Sequence, residues 1–543
     1  MTLVTDQPAT DTVAPPLERS LLAWPPYIWS QVTFAGADPK TEPLRWRSLL
    51  WLLLIPSLLL YISMAFPLFE PDEGRYAEIP REMLAQGDWV VPYLNSEPYL
   101  DKPPLLYWLV MLSYQVFGIH DWSARLVPAM AVHATVLLVY LFGRRRVGER
   151  AAFRGALLLS LAPAFVTIGR LLVIDGLLSL WVTLVVFAAW EALETGRWRS
   201  AWWLLAGLAA GLGILSKGPV ALILSLPPLA LAQWLRGKPI RLLSWNSLLF
   251  AAVTVAISLP WYVAICFRLP QFAGYFLLQH NLLRFLSPFD HLEPFWYYVP
   301  ILLLGFLPGT LLLPGLVRFL CTGRSEIRSI RGPALGVLLL AGGWCVLFFS
   351  LSGCKLPTYI LPAFPFLALA VGCYWATGPL CDRRWVSSVI AVAFGVICLG
   401  HSIVLPWYAR YRGTVTQMPE VLAYCEDRNL RVFSYPRPCD SLAFYARRED
   451  LRSFRGKETN PLILALLEQP RTVLLLTHRH SLESLKFALP PELAVVENKR
   501  LNLGDVPFAP KSWSKRITTF MGETALGLSD VAIIERRTVT ASK

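Results

Sequence analysis

Charge is scarce in this sequence. Asp, Glu, Lys and Arg make up 16% of its 543 residues, against about a quarter in soluble domains, and that shortage excludes a wholly soluble globular protein. Paired cysteines are missing too. The nine cysteines show no C-x-x-C spacing, which removes the commonest zinc and redox frameworks. Cys266, Cys321, Cys345, Cys373, Cys381 and Cys398 lie in or beside apolar runs and read as small buried hydrophobes. Cys354, Cys425 and Cys439 fall outside those runs, where a Cys425–Cys439 pair stays open. The opening "MTLVTDQPATDTVAPPLERS" lacks the basic-then-apolar order of a secretory signal and reads as a polar cytoplasmic tail. A transporter would be expected to show broken helices or inverted repeats near the midplane; here the charges lie at the outer edge and no internal repeat is visible. The apolar runs are nearly clean of polar residues, which disfavours a channel.

What is present is apolar length. Hydrophobic residues reach 55% with mean hydropathy +0.48. About eleven stretches, from Leu49–Phe69 to Val386–Pro406, approach the roughly twenty residues that cross a bilayer as a helix. They include Gly155–Gly169, Pro219–Leu235 and Phe295–Leu316. Leu105–Phe117 is too short to assign and reads as interfacial; a full count reaches about thirteen. The expected fold class is therefore a polytopic α-helical membrane protein. The net charge of +13 is ordinary anchoring charge and needs no nucleic-acid partner. Clusters such as "RRRVGERAAFR" (Arg144–Arg154) and "RGKPIR" (Arg236–Arg241) fall on alternate loops. That side holds roughly twice the Lys and Arg of the other and is cytoplasmic by the positive-inside rule.

Three parts follow: a cytoplasmic tail (1–44), a transmembrane domain (45–408) with long outer loops at 70–125 and 267–294, and an outer C-terminal domain (409–543). The last shows short β-rich runs, "RVFSY", "TVLLLTH", "ELAVVEN" and "DVAIIERR", with helical segments "NPLILALLEQ" and "SLESLKFAL" between them. They predict a small α/β domain.

The stretch "FEPDEGRYAE" (Phe69–Glu78) sets four acids around Arg75 directly after the first apolar run. At a helix C-terminus carboxylates are electrostatically misplaced, so Asp72 and Glu73 point to function rather than stability. Further on, "PREMLAQGDW" predicts a short helix begun near Pro80 and ended near Gly87, with Met83 and Leu84 facing the membrane. Every outer turn carries charge beside an apolar span: Tyr99, Asp101 and Lys102; Arg170 and Asp175; Lys217; His280, Asn281, Arg284, His291 and Glu293; Lys355 and Tyr359. Charge at a membrane edge is a functional-site hypothesis by default. Several Arg and Lys with a few carboxylates suit an anionic head group such as a phosphate, with a carboxylate for base or electrostatic work. Blander readings stand beside these. Arg125, Arg170, Lys217 and Lys355 also fit snorkelling cations, Asp175 a helix N-cap, Asp101–Lys102 a surface pair, and the histidines structural roles.

Together, "FEPDEGRYAEIPREML", "GDWVVPYLNSEPYLDKPPLLYW", "RLLVIDG", "LSKGP", "HNLLRF…HLEPFWYYVP" and "SGCKLPTYILPAFP" resemble, in order and spacing, the GT-C membrane glycosyltransferases that use polyprenyl-phosphate sugars. Within them the chain most resembles the lipid A aminoarabinose transferases. The resemblance implies a bacterial inner-membrane enzyme whose active site and small C-terminal α/β domain face the periplasm. It implies an undecaprenyl-phosphate 4-amino-4-deoxy-L-arabinose donor and a lipid A phosphate acceptor, giving cationic lipid A and resistance to polymyxin-like peptides. Asp72 falls on the family's catalytic carboxylate and Asp175 on its second essential aspartate. Lys102, Arg284 and Tyr359 fall on donor-phosphate positions, with Arg75 and Tyr99 nearby. No cofactor is required; a divalent ion such as zinc, shared by Asp101 and His280, is the one metal the resemblance admits, and Asp101 is a methylene shorter than the usual glutamate. Transfer opposite a departing phosphate implies inversion at C1. The alternatives are transfer of another sugar, such as mannose, to a protein or glycolipid, and, more distantly, transport.

Overall fold

The computed structural model describes residues 44–194, 199–238, 244–286, 291–322, 333–377, 384–412, 429–477, 481–500 and 530–537. The expected tail before Leu44, Cys381 and Cys425 lie outside them. In chain order come α1 (Trp46–Leu60), α2 (Asp72–Gln86), a two-stranded hairpin β1–β2 (Tyr93–Leu94, Glu97–Pro98), α3 (Leu105–Phe117), α4 (Asp121–Arg146), α5 (Glu149–Ser160), α6 (Pro163–Gly169), α7 (Asp175–Glu194), α8 (Arg199–Lys217), α9 (Val220–Leu235) and α10 (Trp245–Arg268). A π-helical stretch, Gly274–Leu283, leads through Arg284–Leu286 towards α11 (Tyr298–Gly305), α12 (Leu313–Cys321), α13 (Pro333–Leu351), α14 (Phe364–Thr377), α15 (Arg384–Leu399) and α16 (Leu405–Arg412).

Among the described residues, seven helices are long and apolar enough to cross a membrane, and nine if each of two bent pairs is one span. The bends have local causes. The α5–α6 pair turns by 63° where Pro163 opens α6, and Phe295–Cys321 turns by 100° at the break between Gly305 and Gly309, which contains Pro308. Of the eleven expected spans, the remaining two fall on α1 and α9, apolar helices of 15 and 16 residues. The chain is a multi-pass helical membrane protein carrying a small α/β unit, as its composition leads one to expect.

The segment between α1 and α4 folds differently from expectation, and the difference explains its acids. Helix α1 ends at Leu60, well before the acidic stretch. Asp72 and Glu73 occupy the first turn of α2, with Pro71 as its N-cap residue. There the helix dipole favours carboxylates, so the misplacement inferred from sequence does not occur. Pro80 lies inside α2 rather than near its start; the expected end is in place, with Gly87 in the left-handed conformation at φ 68°. Met83 is wholly buried. It packs with Tyr76, Tyr107 and Val110 in the core beneath α2, so α2 does not lie along a membrane surface.

Two arginines hold this region, and neither snorkels. Arg125, wholly buried on α4, clasps Glu73 through Nε and Nη2 at 2.8 and 2.7 Å and donates to the carbonyls of Met64, Phe66 and Pro67. Glu73 also accepts from the backbone of Phe69 and Leu172 at 3.0 and 2.7 Å. Arg170, equally buried, donates to the carbonyls of Leu59, Leu60, Ile62 and Ser63. Those carbonyls at the end of α1 have no intrahelical partner, and in hydrocarbon each would cost several kcal/mol. Glu73 is therefore structural. Glu73→Ala, leaving Arg125 buried and unpaired, is expected to cost about 3–5 kcal/mol. The check is a clear drop in the thermal midpoint of the detergent-purified variant.

In the C-terminal unit β3 (Arg431–Tyr435), β4 (Arg452–Ser453), β5 (Arg471–Leu476), β6 (Leu493–Arg500) and β7 (Asp530–Arg536) form one mixed sheet in the order β4-β3-β5-β7-β6. Strand β5 pairs in parallel with β3 and antiparallel with β7. Its run of buried residues reflects cover on both faces. Helix α17 (Asp440–Ala446) covers Val473 and Leu475, while α18 (Thr459–Leu467) and α19 (Ser481–Ala488) cover Leu474 and Leu476. Cys439, just before α17, is a buried free thiol.

Candidate active site

The ends of several helices meet around one cavity of about 460 Å³. The linker into α3 supplies Asp101 and Lys102, the last turn of α8 supplies Lys217, the π-helical stretch and the turn after it supply His280, Asn281 and Arg284, and the turn before α14 supplies Tyr359. Val220, Ile223, Phe276, Phe285, Phe348 and Phe349 form the apolar wall. Three cationic side chains thus line a largely apolar space that offers a single carboxylate, Asp101, among its lining residues. Few arrangements justify that, because like charges brought together out of water repel. A bound anion is the ligand that reverses the penalty.

The local contacts show how each group is held. Lys217 Nζ lies 2.5 Å from Asp175 Oδ1 and 4.2 Å from the Tyr359 ring centroid. Asp175 sits in the first turn of α7, where the dipole favours it, so the helix-start reading and the Lys217 pairing coexist. Lys102 Nζ is 2.7 Å from His280 Nε2. Asp101 accepts from the Tyr275 hydroxyl at 2.5 Å and lies 3.9 Å from His280 Nδ1; it is no plain surface partner of Lys102. Burial first, then the neighbouring Lys217 charge, pull Lys102 down to about 8. The Tyr275 hydroxyl, with His280, Lys102 and Arg75 charges, holds Asp101 below its ordinary value despite burial.

A second group lies beside the cavity. Asp72 is more than half exposed, at 55%, and its Oδ1 is 3.8 Å from Arg75 Nη1. The Arg75 guanidinium stands 5.8 Å from the Tyr99 ring centroid. Burial, then the Asp101 charge, keep the Tyr99 phenol above its ordinary value, so it remains a protonated donor. Asp72, Arg75, Tyr99 and Asp175 are not among the residues lining the cavity itself; Lys102, Arg284, Tyr359, Asp101 and His280 are.

Asp101 and His280 make a poor metal site. One imidazole nitrogen faces an ammonium at 2.7 Å and the other stands 3.9 Å from the single carboxylate. Among the described residues no three His, Cys, Asp or Glu side chains gather to hold an ion. Zinc takes three or four protein ligands, and a cation would also meet the Lys102 charge. The donor set does not fit a divalent metal.

Other charged residues near the site turn out to be framework. Lys355 Nζ donates to the Glu293 carbonyl at 2.8 Å, and its backbone N–H to the His291 carbonyl, tying the segment before α11 to the turn after α13. Sequence reading missed Tyr275 as the partner of Asp101 and the phenylalanine wall. Neither has a distinguishing signal, since both lie in a chain already rich in aromatics.

Against known proteins, the profile of the dolichyl-phosphate-mannose-protein mannosyltransferase family matches residues 101–264. The chain is 36% identical over 339 residues to the undecaprenyl phosphate-α-4-amino-4-deoxy-L-arabinose arabinosyl transferase of Edwardsiella ictaluri, over 60% of this chain and 59% of that relative. The chain therefore spans less than two thirds of that relative's length. With the protein of the same name from Yersinia pestis the match is 33% identical over 417 residues, covering 74% of this chain and 72% of the relative. The crystal structure of ArnT from Cupriavidus metallidurans bound to undecaprenyl phosphate superposes with a TM-score of 0.66 at 21% identity, over 83% of this chain and 95% of that one; at that identity it shows a shared fold. By the extent and identity of the Yersinia match, the chain belongs to the undecaprenyl phosphate-α-4-amino-4-deoxy-L-arabinose arabinosyl transferase family.

Proposed function

We propose that this protein is a membrane glycosyltransferase that moves 4-amino-4-deoxy-L-arabinose from undecaprenyl phosphate to a lipid A phosphate, at the periplasmic face of the bacterial inner membrane. The observation that carries the reading is the convergence of Lys102, Lys217 and Arg284 with Tyr359 on one apolar-walled cavity. Its cationic end suits a phosphate, and its phenylalanine wall suits a prenyl chain. The names of the relatives supply the sugar.

The donor's C1–O bond breaks, its electron pair passing to the departing undecaprenyl phosphate, while an acceptor phosphate oxygen attacks C1 from the opposite face. The product is inverted at C1. Charge grows on the leaving phosphate, and fixed cations in a dry cavity stabilise it, usually the largest catalytic contribution. Lys102 and Arg284 take that role, with Tyr359 donating a hydrogen bond. Lys217, already paired with Asp175, ties that aspartate to the cavity. The acceptor phosphate is already anionic, so Asp72 serves the sugar, facing its ammonium or the cationic character that develops at C1.

Two expectations follow from the site. Lys102 loses its proton near pH 8, so undecaprenyl phosphate should bind best below that value and weaken as pH rises from about 7 to 9. Lys102→Arg, charged throughout, should flatten the profile measured by titration calorimetry. Because the Asp101–His280 pair does not fit a metal, exhaustive chelation verified by elemental analysis should leave the transfer rate unchanged. A rate that vanished and returned with zinc would show the contrary.

The functional reading is tested by mass spectrometry of lipid A from cells with and without the protein. Aminoarabinose-modified lipid A only in its presence supports the reading; unmodified lipid A, or another sugar on another acceptor, selects the other transferases. A transporter would leave no covalent product.

A further inference from the structure

The C-terminal unit reaches into the first outer segment through the start of α17. Gly74 of α2 lies so close that a Cβ there would stand 2.6 Å from the Ser441 backbone nitrogen, so only glycine permits this approach. Glu70 Oε1 accepts the Ser441 N–H at 2.6 Å, and Leu68 N–H donates to the Tyr445 hydroxyl at 3.0 Å. At the centre of the contact Asp440, almost wholly buried, places Oδ2 3.6 Å from Arg75 Nε. Its Oδ1 accepts from Asn95 Nδ2 at 3.3 Å. On its other side the same guanidinium meets Asp72 at 3.8 Å. Burial, then the Asp440 charge, push the Glu70 carboxyl up to about 8. Burial raises the Asp440 carboxyl as well, and the Arg75 charge opposes that rise.

We propose that Asp440 of the C-terminal unit is a positioning residue for the transfer reaction, fixing Arg75 so that Arg75 in turn orients Asp72. This rests on the role given to Asp72 above. A guanidinium held between two carboxylates, on a half-exposed helix start, has one orientation; without Asp440 it is free to rotate towards solvent or to close on Asp72. The C-terminal unit is then part of the working site rather than an appendage. Displacements of about an ångström at a reacting group can cost roughly 10²-fold in rate.

The test uses full-length purified protein in liposomes, with lipid-linked aminoarabinose and lipid A, measuring kcat and KM for wild type, Asp440→Asn, Arg75→Gln and the double variant. Asp440→Asn should lower kcat by roughly ten- to hundredfold with donor KM little changed. The double variant should be no slower than Arg75→Gln alone, because Asp440 acts through Arg75. Glu449→Gln, which removes a contact with Arg81 at 3.7 Å across the same interface, should leave kcat as it is. Should Asp440→Asn not fold, Asn95→Gly serves: Asn95 already has φ 53°, which glycine accepts, and loss of its amide should lower kcat about severalfold. Unchanged kcat in Asp440→Asn or Asn95→Gly, multiplying losses in the double variant, or an equal loss in Glu449→Gln would each overturn the positioning role. Absence of transfer by wild type would instead overturn the functional reading, and the positioning role with it.

Discussion

Asp72→Asn is expected to lower aminoarabinose transfer by about 10²–10⁴-fold while leaving the protein folded. The side chain is 55% exposed, and its charged neighbour is Arg75 at 3.8 Å. An isosteric amide there forfeits at most the roughly 0.3–1 kcal/mol that a carboxylate gains at a helix N-terminus. Its neighbour Glu73 is the opposite case, buried and bound by a guanidinium and two backbone N–H groups. The adjacent acids should therefore separate cleanly. Asp72→Asn should elute as a monodisperse, thermally normal and inactive protein, whereas Glu73→Ala should be unstable. Near-normal transfer by well-folded Asp72→Asn would remove Asp72 from the reaction.

The second large effect is expected at the cations. Lys102→Ala and Arg284→Ala should each slow transfer by about 10²–10³-fold and weaken binding of undecaprenyl phosphate, measured by calorimetry on detergent-purified protein. Exchanging Lys and Arg should not restore full activity at either position, because an ammonium is a point charge and a guanidinium a planar fork. Lys217 is a different matter. It is paired with Asp175 at 2.5 Å, so its removal would unbalance that carboxylate as well as the cavity. Unchanged donor affinity in both alanine variants would refute the phosphate assignment.

Much of this was legible in the chain. Lys102, Arg284 and Tyr359 stand out because charge beside an apolar run is costly, and the structure puts all three on one cavity. Four strands of the C-terminal unit are legible by their alternating or continuous apolar pattern, while β4, two residues long, is too short to show one. The acids of "FEPDEGRYAE" were misjudged because apolar composition runs on past Leu60 although the helix does not. The carbonyls at the end of α1 are met by Arg170, more than a hundred residues away in sequence. Long-range pairings leave no local signature: Glu73 with Arg125, Asp101 with Tyr275, and Arg75 with Asp440. Helix α17 was missed for another reason, since its seven residues are two turns, too few to display a period.

The most direct measurement of the central claim is a single-turnover assay with purified protein in liposomes containing undecaprenyl-phosphate aminoarabinose and lipid A, followed by mass spectrometry of both lipids. Lipid A should gain one aminoarabinose residue on a phosphate while an equal amount of undecaprenyl phosphate appears. Intact donor with unmodified lipid A, in the presence of folded protein that binds undecaprenyl phosphate, would contradict it.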